Sequence, residues 1–282
     1  LINMSVTVTS SHPSWGAKEQ RRNIPPVPVI TRERRRTQSV RAATAVALLL
    51  ACACASPPAC LASDPSTLNG GSALAMAGDG CVALAVDRRF GSGGQTVAVA
   101  SSRRVLVFGG RAMAGFAGLE SDCQGIAEDL AARVADLTGR GDAPLSGIDP
   151  GISPRSLSVL TSNVLYSRRS SPFYAEPLIV GLEEPPPGRS GKGFRAFLCS
   201  QDVLGAQMIV DDFVCCGAAS TSLYGAAQDA WRPGMGAEEL ARVCGRAFMA
   251  AIERDCLSGY GAVVYVMTEE QIIANELQFR ND

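Results

Sequence analysis

Histidine is almost absent from this chain, which has one, His12, among 282 residues. The part of the chain that we predict to fold, residues 66–282, contains none. Ser-His-Asp and Cys-His catalysis both need an imidazole base, and histidine-ligated metal sites need the same side chain. Any chemistry in the predicted domain therefore has to use a base of another kind.

The chain also lacks any CxxC spacing, although it contains 10 cysteines. An odd number of them, most inside apolar runs, lie in the predicted domain: Cys81, Cys123, Cys199, Cys215, Cys216, Cys244 and Cys256. This pattern favours reduced, buried thiols that serve as small hydrophobic side chains. A disulfide framework is the less favoured alternative.

A hydrophobic run long enough to cross a membrane is missing as well. The apolar segment Ala42–Ala55 spans 14 residues, whereas a transmembrane helix needs about 20. It follows the basic cluster Arg32–Arg41 and precedes small residues at Ala59–Ala62, so residues 32–62 have a leader-like pattern. We predict that residues 1–65 are a leader-like or disordered extension, or sequence that is not translated, and we favour organellar or secretory targeting less.

Charge is unevenly distributed along the chain. Residues before Asp64 contain eight Lys/Arg and two Asp/Glu, a net of +6, so the remainder carries −7 within a total of −1. A mildly acidic domain argues against a nucleic-acid surface. Gly91–Gly94 lacks the Lys and Ser/Thr of a phosphate loop, and Asp211 and Asp212 are adjacent strand residues that face opposite ways. We therefore predict no metal, cofactor, nucleic-acid partner or membrane partner.

The most informative stretch of the sequence is Gly70–Arg89. Two strands, Ser72–Ala77 and Cys81–Val86, flank a tight turn at Gly78-Asp79-Gly80. Ser72–Ala77 is small and apolar, and the continuous apolar run Cys81–Val86 predicts a strand that is buried on both faces. The second strand ends in Asp87, followed by two arginines, which indicates a site or a fixed ion pair.

The rest of the chain predicts strands, two helices, strands, two helices and strands in that order. This order predicts an α+β fold, a four-layer αββα sandwich of two antiparallel sheets flanked by helices, and not an alternating α/β fold. The predicted strands are Val105–Phe108, Arg111–Ala117, Pro177–Leu182, Phe194–Ser200, Gln207–Ile209, Asp212–Gly217, Gly259–Met267 and Gln271–Leu277. The predicted helices follow the three- and four-residue spacing of apolar side chains and span Leu119–Leu137, Ser156–Arg169, Ser220–Trp231 and Glu238–Cys256. We also predict a flexible turn at Gly91–Gly94 and loops at 143–154 and 183–193.

Several motifs carry a specific resemblance over residues 66–282: DRRFG at Asp87–Gly91, AGFAGLESDCQ at Ala114–Gln124, SPFYAEPLIVGL at Ser171–Leu182, CSQDVLGAQMIVDDFVCCG at Cys199–Gly217 and RDCLSGYG at Arg254–Gly261. Together they resemble the β subunits of the 20S proteasome, which have the N-terminal-nucleophile hydrolase fold. Within that family they are most similar to the β-3 type, a ring position without a proteolytic site. The resemblance also implies the αββα sandwich.

The resemblance has direct implications for the site residues. Active members of the family use an N-terminal threonine, whose free α-amine is the base, beside an aspartate and a lysine. The nucleophile position falls on Gly71, the aspartate matches Asp87, and the lysine position falls on Arg103 or Arg104, an arginine in either case. The family's Gly-Ser-Gly-Ser motif is changed to Gly217-Ala218-Ala219-Ser220. We therefore expect no catalytic residue, only a vestigial site at Gly71, Asp87, Arg104, Asp255 and Ser258.

The resemblance implies a non-catalytic structural subunit of the proteasome β ring that supports ATP- and ubiquitin-dependent protein degradation in the cytoplasm and nucleus. Its implied partners are the neighbouring β subunits, the α ring and the opposite β ring. The alternative is a self-processed amidohydrolase whose nucleophile is Ser72, although neighbouring strand residues face opposite sides. Arg168 and Arg169 either contact a partner subunit or are simply exposed.

Overall fold

The computed structural model describes residues 68–92, 95–99, 104–138, 152–184 and 193–278. The predicted extension at 1–65 lies outside these residues, as do Arg103 and most of the predicted loops at 143–154 and 183–193. The predictions made for those segments therefore stay predictions.

The described residues form strands and helices close to the predicted ones. The strands are β1 (Ser72–Ala77), β2 (Val82–Asp87), β3 (Arg89–Ser92), β4 (Gln95–Val99), β5 (Val105–Phe108), β6 (Ala112–Gly118), β7 (Ala175–Glu183), β8 (Arg195–Gln201), β9 (Gln207–Val210), β10 (Phe213–Gly217), β11 (Ala262–Met267) and β12 (Ile272–Leu277). The helices are α1 (Glu120–Thr138), α2 (Pro154–Ser167), α3 (Ser220–Ala230) and α4 (Ala237–Ile252).

The strands form two five-stranded antiparallel sheets and one short ribbon. The first sheet has the order β10-β1-β2-β11-β12 and the second the order β5-β6-β7-β8-β9, while β3 pairs only with β4 among the described residues. Helices α3 and α4 pack on the outer face of the first sheet, and α1 and α2 pack on the second. A third apolar cluster fills the space between the sheets. The predicted αββα sandwich is confirmed.

Strand β1 lies between β10 and β2 in the first sheet, and both of its faces are buried. Leu74 and Met76 pack towards the helices, whereas Ala73 and Ala75 pack towards the second sheet. Strand β2 alternates in the same way, which explains why both strands are continuous apolar runs. Full burial of a side chain such as Leu74 stabilises the fold by about 2 kcal/mol.

The helix ends differ from their predicted positions by up to four residues, and two of these differences have a clear local cause. Helix α2 begins at Pro154, two residues early, because the Ser153 hydroxyl accepts the Ser156 N–H at 3.1 Å and proline suits the first helical turn. Helix α4 ends at Ile252 and not at Cys256. The Asp255 N–H donates to the carbonyl of Ile252, three residues back, which tightens and then ends the helix.

The predicted flexible turn at Gly91–Gly94 is wrong for its first two residues, because Gly91 and Ser92 belong to β3. A distant side chain holds this strand: Asn69 Nδ2 donates to the Gly91 carbonyl and the Gly91 N–H donates to the Asn69 carbonyl, both at 3.0 Å. A β-carbon on Gly91 would lie 2.5 Å from Arg89 Cζ, so this close packing requires glycine.

The cysteines follow the sequence prediction with one exception. Every described cysteine is a free thiol, and all but Cys256 are buried. Burial raises the pKa of the thiols of Cys123 and Cys215 to about 12. No helix in the described ranges is both long enough and apolar enough to cross a membrane.

Candidate functional site

The central strands of the first sheet bring their ends together at one edge. Ser72 begins β1 and pairs with Gly217 at the end of β10. Asp87 ends β2 and pairs with Ala262 at the start of β11. Because β1 and β2 are antiparallel, Ser72 and Asp87 lie at the same end of their hairpin. Loop residues from several distant parts of the chain converge on this edge.

Asp87 is a fully buried carboxylate, and both of its oxygens accept hydrogen bonds. Its Oδ1 accepts Arg104 Nη1–H at 2.7 Å and the Ser72 N–H at 3.2 Å, and its Oδ2 accepts the Gly259 N–H at 3.2 Å. Burial raises the pKa of the Asp87 carboxyl to about 6, against the lowering effects of Arg104, the two amides and Arg89. The predicted ion pair at this strand end therefore exists, but its cation is Arg104.

Arg104 links three parts of the site, although it is almost completely buried itself. Besides Asp87, its Nε donates to Glu120 Oε2 at 3.1 Å and its Nη2 donates to the Arg89 carbonyl at 2.8 Å. Burial lowers the pKa of Arg104, but the charges of Asp87 and Glu120 raise it by more. The guanidinium is permanently charged and cannot relay a proton near neutral pH.

Gly71 faces that guanidinium directly. Its φ of +100° lies in the left-handed region, and a β-carbon built on it would lie 2.6 Å from Arg104 Cζ and nearer still to Nη1. The Arg104 side chain therefore occupies the space that any side chain at position 71 would need. Position 71, where the resemblance would place the nucleophile, offers no atom that could attack a substrate.

The residues that precede Gly71 continue through the site as an anchored peptide. The Gly71 N–H donates to the Leu257 carbonyl and its own carbonyl accepts the Ala218 N–H, both at 3.0 Å. Two residues earlier, Asn69 Oδ1 accepts the Glu120 N–H at 3.0 Å. In the uncleaved chain, these hydrogen bonds hold residues 69–71 against Leu257, Ala218 and Glu120.

Ser72 faces a different set of groups from Gly71. Ser258 Oγ donates to Asp255 Oδ2 at 2.7 Å, so its contact with Ser72 Oγ at 2.9 Å must be donated by Ser72. Ser72 Oγ in turn accepts the Ala219 N–H at 2.8 Å. The result is a directed chain of hydrogen bonds from an amide through two hydroxyls to the Asp255 carboxylate.

The structure thus brings the expected site residues together as two adjoining groups. Gly71, Asp87 and Arg104 form one group, and Asp255 and Ser258 join it through Ser72. Sequence reasoning missed Asn69, Glu120 and the internal position of Arg89. Of these three, only Arg89 could have been found from the sequence, because it is one of the two arginines that follow Asp87. The other, Arg88, is partly exposed and pairs with Glu276 at 3.4 Å.

No group of three or more His, Cys, Asp or Glu side chains in the described segments is arranged to hold a metal ion. A depression of about 200 Å³ lies at the opposite end of the β1–β2 hairpin. Its lining includes Gly78, Asp79, Phe194 and Arg195 and none of the residues around Asp87. The converging polar groups and the open depression are therefore separate features.

Comparisons with known proteins identify the family of the chain. The chain matches the proteasome subunit family model over residues 67–267. It is 34% identical over 214 residues, 76% of this chain and 97% of the relative, to proteasome subunit beta type-3 of Picea mariana. With the same coverage it is 35% identical to proteasome subunit beta type-3-A of Arabidopsis thaliana and 31% identical to proteasome subunit beta type-3 of Drosophila melanogaster. The chain belongs to the proteasome subunit family.

Proposed function

We propose that this chain is a non-catalytic β subunit of the 20S proteasome core particle, at the position occupied by beta type-3 subunits. One observation carries the proposal: residue 71 is a glycine, and the Arg104 guanidinium fills the space beside it. A threonine nucleophile would need that space for its side chain. The names of the curated relatives support the same ring position.

Two components that the family's chemistry requires, the threonine nucleophile and the lysine, are replaced in this chain. The nucleophile is replaced by glycine and the lysine by an arginine that two carboxylates hold. The base would have to be the free amine of a cleaved chain, and cleavage before residue 71 would leave that amine on a glycine without a hydroxyl. Asp87, Asp255 and Ser258 keep their polar contacts, and we propose that they now stabilise the fold around the anchored peptide.

The proposed role is structural. The chain would complete the β ring, contact neighbouring β subunits, the α ring and the opposite β ring, and shape the chamber beside active subunits. It would thereby support ATP- and ubiquitin-dependent protein degradation in the cytoplasm and nucleus. Obligate interfaces of this kind are large and apolar, and exposed side chains such as Leu137 and Met208 are available for them.

Native co-purification of the tagged full chain tests this proposal. We expect the chain in a large assembly of sister proteasome subunits, with an intact mass that includes residues upstream of Gly71. A matched assembly that carries Gly71→Ala should show reduced incorporation, and the purified chain alone should not hydrolyse peptides. A lone, ring-free chain that cleaves peptides would overturn the proposal.

The second candidate is a self-processed amidohydrolase that uses Ser72. The observation that favours it is the hydrogen-bond chain from Ser72 through Ser258 to Asp255, next to a Gly71 carbonyl that accepts the Ala218 N–H. Against it, Ser72 is only 1% exposed in the uncleaved chain, and its hydroxyl is already bonded to Ser258 and to the Ala219 N–H. A mature N-terminus at Ser72, found by intact-mass measurement, would favour this candidate.

A further inference from the structure

The outward face of α2 and the loop beside it expose apolar side chains. Val159 and Tyr166 are 49% and 57% exposed and lie seven positions apart, on the same side of the helix. Ser162 Oγ donates to the Gly205 carbonyl, which holds the loop that contains the 42% exposed Leu204 against this helix. The helix and loop therefore present one partly apolar surface.

Two arginines that follow α2 each lie over an aromatic ring. Arg168 Cζ lies 5.1 Å from the centre of the Phe173 ring, and Arg169 Cζ lies 5.3 Å from the centre of the Tyr166 ring. Stacking of this kind holds a guanidinium plane while its N–H edges stay free to donate. Within the described parts of the chain, neither arginine forms an ion pair.

Arg155, at the other end of the same helix, has both an aromatic contact and a carboxylate partner. It also stacks on an aromatic ring, that of Phe197, at 5.1 Å. Its Nε and Nη2 additionally donate to the two carboxylate oxygens of Glu183, at 3.0 and 3.2 Å. Arg168 and Arg169 have the same preorganised stacking without the carboxylate.

The sequence around these arginines is purely basic. Residues 152–175 contain three arginines and no aspartate or glutamate, although the chain as a whole has a net charge of −1. In the described segments, two carboxylates contact this stretch: Glu183 pairs with Arg155, and Asp122 Oδ2 accepts the Tyr174 N–H at 2.8 Å, whereas neither forms an ion pair with Arg168 or Arg169. The positive charge of this surface is therefore left for a group from another molecule.

We propose that Val159, Tyr166, Arg168, Arg169 and Leu204, here named the α2 surface, bind a carboxylate-bearing segment of a neighbouring proteasome subunit. Tyr and Arg around a small apolar centre are typical of the residues that dominate binding energy at protein interfaces. Planar arginine edges favour carboxylates as acceptors. The acidic remainder of the domain disfavours a nucleic acid as the occupant of this surface. This inference rests on the proposed function, because it names one contact within the assembly.

The test uses the full chain, produced together with its sister subunits. Charge reversal in the R168E/R169E variant should lower incorporation into the assembly about tenfold or more, because two negative charges would then face carboxylates and repel them. R168K/R169K should give an intermediate loss, because it keeps the charge without the planar edge. R133E is the matched control: Arg133 is an exposed arginine on α1 whose partner is Asp129, within the same helix.

A photo-crosslinking residue at position 166 identifies the occupant. We expect a cross-linked peptide from a different subunit with aspartate or glutamate next to the attachment point. The inference is overturned if R168E/R169E assembles as well as wild type, or if the cross-link leads to a basic segment or to a second copy of this chain. If thermal unfolding shows that charge reversal destabilises the chain itself, the cross-link alone decides. Failure of the wild-type chain to enter any assembly would overturn the proposed function as well.

Discussion

Gly71→Ala should be among the most damaging single-methyl additions in this chain. The residue has a φ of +100°, and its new β-carbon would lie 2.6 Å from Arg104 Cζ. Arg104 cannot move aside cheaply, since it is buried and joined to Asp87 at 2.7 Å and Glu120 at 3.1 Å. One methyl group therefore forces either a backbone change or the loss of the buried ion pair.

The expected cost has two parts. A non-glycine residue in a disfavoured backbone region costs about 1–3 kcal/mol. Displacing one partner from a buried ion pair costs about 3–5 kcal/mol, because a charge is left uncompensated. Together these amount to roughly 4–8 kcal/mol, which approaches the whole stability of a typical domain, about 5–15 kcal/mol. We expect the variant to be largely unfolded or to fail to assemble.

Equilibrium urea unfolding of full-length variants measures this cost. Gly234→Ala is the matched control, because Gly234 has a φ of +80° but nothing within 4 Å of its built β-carbon. It should show the backbone cost alone. Arg104→Lys should make Gly71→Ala less harmful, with a coupling energy of about 2 kcal/mol or more in a double-mutant cycle. A Gly71→Ala cost within about 0.5 kcal/mol of the Gly234→Ala cost would refute the reasoning.

Three further predictions concern acid, hydroxyl and thiol groups. The pKa of Asp87 is raised to about 6, so its contribution to the free energy of unfolding is greatest below about pH 4 and is lost as the pH rises through 6. Asp87→Asn should therefore flatten the slope of the unfolding free energy against pH in this range. Ser258→Ala removes the acceptor of the buried Ser72 hydroxyl and should cost about 1–3 kcal/mol in thermal or urea unfolding, whereas equal stability would contradict the hydrogen-bond chain. Maleimide labelling of the folded full chain, mapped by peptide mass spectrometry, should modify Cys256 readily and the buried Cys244 only after unfolding; equal rates would show that burial does not protect the thiol.

Much of the fold could be predicted from local sequence patterns. The β1–β2 hairpin is predicted by its short apolar runs on either side of a Gly-Asp-Gly turn, and α1 is predicted by the three- and four-residue spacing of its apolar side chains. The β3–β4 ribbon was missed because its glycines resemble a turn, and its pairing depends on Asn69, which is distant in sequence. No local pattern could reveal that contact.

The site divides in the same way. Gly71, Asp87, Asp255 and Ser258 were expected from motifs, whereas the choice between two candidate arginines needed a contact. Arg104 is the arginine whose guanidinium reaches Asp87. In the sequence, Glu120 resembles any acidic residue in the first turn of a helix. In the structure, its carboxylate is the second partner of the Arg104 guanidinium. Roles that arise only from tertiary contacts leave no trace in spacing or composition.

The overlap between position 71 and the Arg104 side chain also limits how this chain can change over evolutionary time. Threonine at 71 gained first would collide with the guanidinium, so that path begins with a poorly folding protein. A shorter cation at 104 gained first removes the obstruction and keeps a charge beside Asp87. Only one order of substitutions is therefore open to the chain, the one in which position 104 changes before position 71.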